Sequence, residues 1–180
     1  MWVVQPVAPS RSLTFSRRLR VALIAWLAML GLDFLLNGAL FASMYQAGGP
    51  FFLAPGEAFR RIPVGYLAFL ILAIATVEIA NRLRVATFAD GVRLGLAMGC
   101  VLSAVWSLSL FSIATLPALV ALAFAVIWLA LLVMGSAIAS SGLARGSLRG
   151  LAFGVVAFDV FCVVTVIALQ SFGLVPTVNP

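Results

Sequence analysis

The first long apolar stretch of the chain limits its fold more than any other feature. It runs from Arg20 to Tyr45, about the length of roughly 20 residues that a helix needs to cross a bilayer. Asp33 and Asn37 lie near its middle. A carboxylate at that depth must be neutralised, hydrogen-bonded or paired, because hydrocarbon offers it no partner. The stretch therefore predicts a membrane helix that carries a polar centre.

Further apolar runs follow, and hydrophobic residues make up 64% of the 180 residues. A soluble domain of this size cannot bury so much apolar surface, so we expect lipid to surround most of the chain. We predict an all-α, polytopic membrane helix bundle with five transmembrane helices in a single domain. The predicted spans are 19–45, 63–83, 92–116, 118–140 and 148–172, the domain covers 19–173, and tails cover 1–18 and 174–180.

The arginines predict the orientation of these helices. With five spans and the amino terminus inside, only Arg60 and Arg61 lie outside, and the other arginines lie inside. This positive-inside bias predicts a cytoplasmic amino terminus and an external carboxyl terminus. Tyr45 and Tyr66 then fall at the outer boundary, where aromatic rings are common. The alternative is a four-span protein in which the third and fourth helices merge across Pro117, which weakens the bias.

The second span has two features at its ends. Segment 51–62, before it, is too apolar for a solvated loop and too short to cross a bilayer. Two interpretations are open: an interfacial helix that begins near Pro55, or a loop packed over the end of the bundle. Near the other end, Glu78 and Arg82 lie four residues apart, which predicts an ordinary helical ion pair.

Two segments of the chain share a pattern. Segment 89–99 (ADGVRLGLAMG) and segment 144–154 (ARGSLRGLAFG) align without gaps, and each opens a predicted span that follows a proline-initiated span. They predict a tandem helical-hairpin repeat, 63–116 and 117–172, with chance similarity in a Gly- and Ala-rich chain as the alternative.

Glycines recur every four residues in both segments and so share one face of each helix. Close backbone approach stabilises helix pairs in lipid, so we predict that these faces pack helices together. Spacing alone leaves open whether they meet each other or a second subunit. The predicted packing glycines are Gly91, Gly95, Gly99, Gly146, Gly150 and Gly154.

A second acidic residue lies at a similar depth to the first. A helical rise of about 1.5 Å per residue places Asp33 roughly 18 Å and Asp159 roughly 12–15 Å from the inner edge. Asn37 shares the face of Asp33, and Cys162 follows Asp159 by three residues. These four residues, Asp33, Asn37, Asp159 and Cys162, form the candidate polar centre.

No arginine is deep enough to neutralise either carboxyl group, so three states are open. The carboxyl groups are protonated, or they are hydrogen-bonded to polar side chains, or they pair with a cation from a substrate or a partner. The candidate hydrogen-bond partners are Asn37, Thr76, Ser103, Ser107 and Thr165.

Composition argues against several function classes. The chain contains no histidine, which removes the commonest metal ligand and the commonest general base. We therefore predict no cofactor, no metal site and no enzymatic activity. The net charge of +6 comes from arginines between apolar runs, which favours a topological role over nucleic-acid binding. Cys100 and Cys162 lie inside apolar runs, which predicts two free, buried thiols, with a disulfide between them as the alternative.

Three patterns carry a resemblance: LGLDFLLNGALFASMY in the first helix, GVRLGLAMG in the third and GVVAFDVFCVVT in the last. They resemble uncharacterised bacterial families of small membrane proteins with four to five spans. The resemblance covers residues 20–172 and implies a multi-pass protein of the bacterial inner (cytoplasmic) membrane, without an agreed activity. The translocator-protein family also has five spans, but its tryptophan- and proline-rich pattern is missing here, which argues against porphyrin or sterol binding.

These observations favour a non-catalytic accessory or assembly subunit. Its partners would be the lipid bilayer and, through the glycine faces, another membrane subunit or a second copy of the chain. The alternative is a small proton-linked transporter or ligand-binding carrier that uses Asp33 and Asp159. An intramembrane enzyme built on these two aspartates is the least favoured function, because no catalytic motif accompanies them.

Overall fold

The computed structural model describes residues 13–46, 52–53 and 55–176. The predicted helix stop at 48–50, most of the amino-terminal tail and the last four residues lie outside the described residues. The described part of the chain is all-α. Its elements are α1 (Phe15–Leu35), a π-helical segment (Leu36–Leu40), α2 (Ala42–Gln46), α3 (Pro55–Arg82), α4 (Phe88–Ile113), α5 (Ala118–Ala144) and α6 (Arg149–Ser171).

Five helical stretches in this part of the chain are long and apolar enough to cross a membrane. This confirms the predicted polytopic helix bundle. Pro117 separates α4 from α5, with extended backbone at Ala114 (φ −125°, ψ 147°), so the four-span alternative is wrong. The five stretches are Phe15–Leu40, Gly56–Arg82, Phe88–Ile113, Ala118–Ala144 and Arg149–Ser171.

The first helix begins at Phe15, four residues before the predicted start. Contacts with the end of α5 and the turn that follows it hold its first turn. The guanidinium group of Arg17 donates to the backbone carbonyl of Gly142 at 3.4 Å and to that of Gly146 at 3.3 Å, and it also donates to the carbonyl of Arg145. The sequence pattern around residue 15 carries no sign of these long-range contacts.

The second span begins at Pro55 and continues as one helix through Pro63. Residues 55–62 are therefore the first turns of this helix rather than a separate interfacial helix, and the predicted start near Pro55 is correct. Phe52 is not helical and packs against the cluster of Leu116, Val120 and Ala121, as the loop interpretation predicts for this part of the segment. Proline suits the first turn of a helix, where its missing N–H has no partner to lose. Glu57 adds a favourable acidic residue in that turn and accepts from Arg61 at 2.5 Å. Pro63 removes one backbone hydrogen bond without ending the helix.

Helices α1 and α5 form the middle of the bundle. Helix α1 packs against α3, α5 and α6, while α4 packs along α5 and α6 packs mainly along α1. The main core lies between α1, α3 and α5. Much of α4 and α6 is consequently exposed, as expected for helices that face lipid. The buried residues of this core are Ala25, Met29, Ala73, Ile127 and Leu131.

We call the end of the bundle where α1 begins and α5 ends the basic end, because it carries Arg17, Arg18, Arg82, Arg93, Arg145 and Arg149. Here Arg18 donates to both carboxylate oxygens of Glu78, at 2.8 and 2.7 Å. The predicted pair between Glu78 and Arg82 is therefore wrong, and Arg82 is exposed. An arginine from the neighbouring helix reaches both oxygens of the carboxylate, a stronger interaction than an exposed pair along one helix.

Candidate functional site

The glycines of α4 bring its backbone into close contact with α5. A Cβ atom on Gly95 would lie 2.5 Å from the Cα atom of Val133 and 2.7 Å from the carbonyl oxygen of Leu132. A Cβ atom on Gly99 would lie 2.6 Å from a methyl carbon of Leu129. Any side chain at these positions would push the helices apart. This glycine face is thus covered by the chain itself and is closed to a partner.

The glycines of the second segment have a different environment. Gly146 lies in the turn before α6, and Gly150 and Gly154 lie on the exposed surface of α6. A Cβ atom on any of the three would meet nothing within 4 Å among the described residues. The packing role predicted for them, and the tandem repeat itself, therefore stay predictions, and the two segments combine similar sequences with different surroundings.

The first and last helices run side by side in parallel. Gly31 of α1 lies against Asp159 of α6, and Gly38 lies against Val166, seven residues or about two turns further along both helices. A Cβ atom on Gly31 would fall 2.9 Å from the Cγ atom of Asp159 and 3.2 Å from its Cα atom. Asp33 follows Gly31 by two residues, a rise of about 3 Å. The parallel register therefore brings the two predicted acidic residues to nearly the same depth.

Asp33 is at one end of a short hydrogen-bonded series. Its Oδ1 atom accepts from Nδ2 of Asn37 at 2.7 Å, and Oδ1 of Asn37 accepts from the hydroxyl of Tyr45 at 2.6 Å. The series follows the π-helical segment, where the N–H of Phe41 donates to the carbonyl of Leu36 at 2.8 Å, five residues back. Single π turns of this kind are frequent at functional sites.

The contact between Asn37 and Tyr45 has no signal in the sequence spacing. Eight residues of a straight α-helix span about 12 Å, too far for a direct hydrogen bond. The π-helical segment and the turn at Phe41 shorten this path. Sequence reasoning accordingly identified Asn37 as a partner of Asp33 but treated Tyr45 only as an aromatic residue at the membrane boundary.

Asp159 differs from Asp33 in lacking a hydrogen-bond partner. The residue is half-buried, and its enclosed Oδ1 atom is unpaired in the part of the chain that the structure describes. Cys162, one turn further along α6, is fully buried and is a free thiol. Cys100 is also free, but it is exposed on α4, so its predicted burial is wrong.

Two of the other predicted partners of the acidic residues, Ser103 and Ser107, form no hydrogen bond with them. Ser103 and Ser107 are on α4, and their buried hydroxyl oxygens have no hydrogen-bond partner among the described residues.

The part of the chain that the structure describes contains no group of three or more cysteine, aspartate and glutamate side chains that could hold a metal. The ion pairs found there lie near helix ends and leave both aspartates out: Arg18 with Glu78, Arg61 with Glu57, and Arg93 with Asp90.

Comparison of the chain with protein-family models, with curated proteins and with solved structures gives no match. Its residues show a multi-pass membrane protein with five candidate spans. The resemblance to small bacterial membrane protein families stays a prediction, and so does residence in the bacterial inner membrane.

Proposed function

We propose that this chain is a non-catalytic assembly subunit that holds a helix of another membrane protein against α6 through Asp159. One observation carries the proposal: the half-buried carboxyl group of Asp159 has no hydrogen-bond partner among the described residues, and its Oδ1 atom is enclosed against Gly31 of α1. The residue lies on a helix that packs mainly against α1. A partner helix would therefore have to reach the other carboxylate oxygen from the lipid-facing side of α6, because α1 covers Oδ1.

The lipid that surrounds α6 makes an unpaired carboxyl group at Asp159 costly. Lipid hydrocarbon has no hydrogen-bond donor, so a polar group left unpaired at mid-depth is costly, and such groups usually meet a partner in the bundle. A hydrogen bond between membrane helices contributes about 0.6 kcal/mol on average, and up to about 2 kcal/mol in model peptides. A donor on a neighbouring helix would therefore stabilise a complex through this single contact.

The surface of α6 beside Asp159 suits a helix. Its four exposed residues follow helical spacing, and all are β-branched, so they have little rotamer freedom to lose on packing. Their exposed fractions range from 40% to 57%. The residues of this face are Val156, Val160, Val163 and Ile167.

The partner is a different protein rather than a second copy. Every arginine of the chain lies near the end of a span, and the chain has no lysine. A second copy therefore has no cation to place at the depth of Asp159. The side chain of Asn37 is already engaged with Asp33 and Tyr45. The partner helix should carry Arg, Lys, Asn or Gln near its middle.

Purification from native membranes in mild detergent tests this function. Asp159→Ala should lose a stoichiometric partner that the wild-type chain retains, because it removes the acceptor without adding volume. Asp159→Asn should keep part of the interaction, since an amide oxygen also accepts hydrogen bonds. Phe161→Leu, at an exposed position about 160° around α6 from Asp159, is the control and should retain the partner.

The identified partner provides the second half of the test. Replacing its mid-depth Arg, Lys, Asn or Gln by Leu should reproduce the loss seen with Asp159→Ala. A wild-type chain that purifies alone as a monodisperse species contradicts the proposal. So does an Asp159→Ala variant that keeps the same partner in the same amount.

The second candidate function is a proton-linked carrier, favoured by the series that joins Asp33, Asn37 and Tyr45. Two surface grooves of about 320 Å³ each have mainly apolar linings that include neither aspartate, which makes this function the weaker one. Asp33→Asn in proteoliposomes would abolish a pH-dependent flux if the chain were a carrier, whereas an assembly subunit shows no such flux to lose.

A further inference from the structure

A groove of about 320 Å³ lies between α5 and α6 in the half of the bundle nearest the basic end. Helix α1 closes its inner side, and its walls are almost wholly apolar. Arg145, where α5 ends, adds a polar residue at the end of the groove. Its lining includes Ala28, Met134, Arg145, Gly150, Gly154 and Phe158.

Two glycines give the groove its depth. Gly150 and Gly154 are exposed, and a Cβ atom on either would meet nothing within 4 Å in the described structure. A side chain at either position could therefore begin without a clash and would occupy part of the groove. The groove therefore depends on residues that the fold itself does not require to be small.

The end of the groove is strongly basic. Arg149 is exposed next to it, and Arg17 donates to the backbone carbonyl of Arg145. The guanidinium group of Arg145 has no partner among the described side chains. The nearby acidic residues are engaged with other arginines, Glu78 with Arg18 and Asp90 with Arg93. An anion at this place would meet uncompensated positive charge.

We propose that this groove binds one anionic phospholipid, with an acyl chain along Gly150 and Gly154 and the phosphate at Arg145. Basic pockets between membrane helices on the cytoplasmic side suit acidic lipid headgroups. A partner helix is a poorer occupant, because it would need an acidic residue at the end of this apolar groove to match the uncompensated charge of Arg145, whereas a phospholipid carries its phosphate there.

The lipid site is separate from the proposed partner site on α6. Gly154 and Asp159 are five residues apart, which places them about 140° apart around a helix of 3.6 residues per turn. The two sites thus lie on opposite sides of the line where α6 contacts α1. Substitutions in one should leave the other unchanged, so the two proposals can fail independently.

Native mass spectrometry of the full chain in detergent tests the lipid site. The probes are phosphatidylglycerol and phosphatidylcholine with identical acyl chains, present in equal amounts. The wild-type chain should retain one phosphatidylglycerol in preference to phosphatidylcholine. Arg145→Gln should reduce this preference about fivefold, since one arginine near an anionic lipid contributes about that factor. Arg82→Gln, another exposed arginine of the basic end, should leave the preference unchanged.

Filling the groove provides an independent variant. Gly154→Leu should abolish the one-to-one lipid complex, and Gly150→Leu provides a second block at a position equally free of contacts. Gly65→Leu on α3, where a Cβ atom also meets nothing within 4 Å, is the matched control and should bind lipid normally. Circular dichroism establishes that each variant has the helix content of the wild-type chain.

Three results would overturn the lipid site. The first is equal retention of the two lipids by the wild-type chain. The second is unchanged lipid binding by both leucine variants of the groove. The third is a leucine variant of the groove that loses a co-purified protein but still binds lipid. This result would identify the groove as a docking site for a helix.

Discussion

Helices α4 and α6 carry glycines at the same spacing, and only α4 uses them to approach another helix of the chain. Gly91, Gly95 and Gly99 are buried against α5, whereas Gly150 and Gly154 are open. The underlying segments are identical at six of their 11 aligned positions. A repeated pattern of small residues thus identifies a helix face, but the neighbouring helix decides what that face contacts.

The difference comes from the surface that each helix meets. Opposite Gly91, α5 presents Ser136, Ala137 and Ser140, so small residues meet small residues. Helix α6 instead packs against Gly31 of α1 and Gly38 of the π-helical segment, so the small residues of this contact are not on α6. Close approach needs small residues on only one of the two helices. The glycines of α6 are therefore not needed for its contact with α1.

Substitution at Gly95 should have the largest effect. In Gly95→Ala the new Cβ atom would lie 2.5 Å from the Cα atom of Val133, and backbone atoms cannot rotate away. We expect the free energy of unfolding to fall by about 1–3 kcal/mol, measured by denaturant unfolding in mixed micelles. Gly65→Ala is the control. Equal stability of Gly95→Ala and wild type would show that the backbones of α4 and α5 are not in close contact at Gly95.

Gly31→Ala should cost less, about 1–2 kcal/mol of unfolding free energy. Its Cβ atom would collide with the carboxyl group of Asp159, which can rotate towards the lipid. Adding Asp159→Ala should recover part of the loss, so a double-mutant cycle should give a coupling energy of at least about 0.5 kcal/mol. Strict additivity of the two changes would mean that these residues do not touch.

Gly38→Ala should be nearly neutral, within about 1 kcal/mol of wild type. The closest atom to the new Cβ would be a methyl carbon of Val166, at 3.0 Å, and a side chain can shift by a few tenths of an ångström. The higher helix propensity of alanine, up to about 1 kcal/mol, offsets this strain. A loss as large as that of Gly95→Ala would indicate a rigid contact between α1 and α6. The measurement is again unfolding in mixed micelles.

Gly154→Ala should have the smallest effect and the opposite sign. Nothing lies within 4 Å of the new Cβ atom, and alanine is favoured over glycine in a helix by up to about 1 kcal/mol. Unfolding in mixed micelles should show unchanged or slightly raised stability. Marked destabilisation would reveal a packing contact at the glycines of α6 and would remove the contrast with α4.

The spans were predictable because each depends on local composition. An apolar run of bilayer length can form few structures other than a membrane-spanning helix. Pro117 ends one such run, whatever residues lie near it in the folded protein. The starts of α1 and α3 were less predictable. Arg17 holds the first turn of α1 through carbonyl groups more than 120 residues away, and Pro63 lies inside a helix that a local rule would begin there.

The polar centre was predictable only within each helix. Asn37 follows Asp33 by four residues, so helical spacing gives their contact directly. Asp159 and Gly31 are separated by 128 residues, and no local pattern indicates that they meet. The pairing of Glu78 with Arg18 rather than Arg82 has the same origin. In each case the packing of α1 against a distant helix determined the contact.

The packing of α1 against α6 means that the first helix must wait for its neighbour during biosynthesis. The first helix leaves the ribosome long before the last, and about 130 residues of translation at roughly 5–20 residues per second take roughly 7–25 s. During that time the face of α1 around Gly31 lacks its neighbour. A nascent chain that stops before α6 would present this face to other newly inserted proteins. Insertion of α6 is thus the step that covers this face of α1.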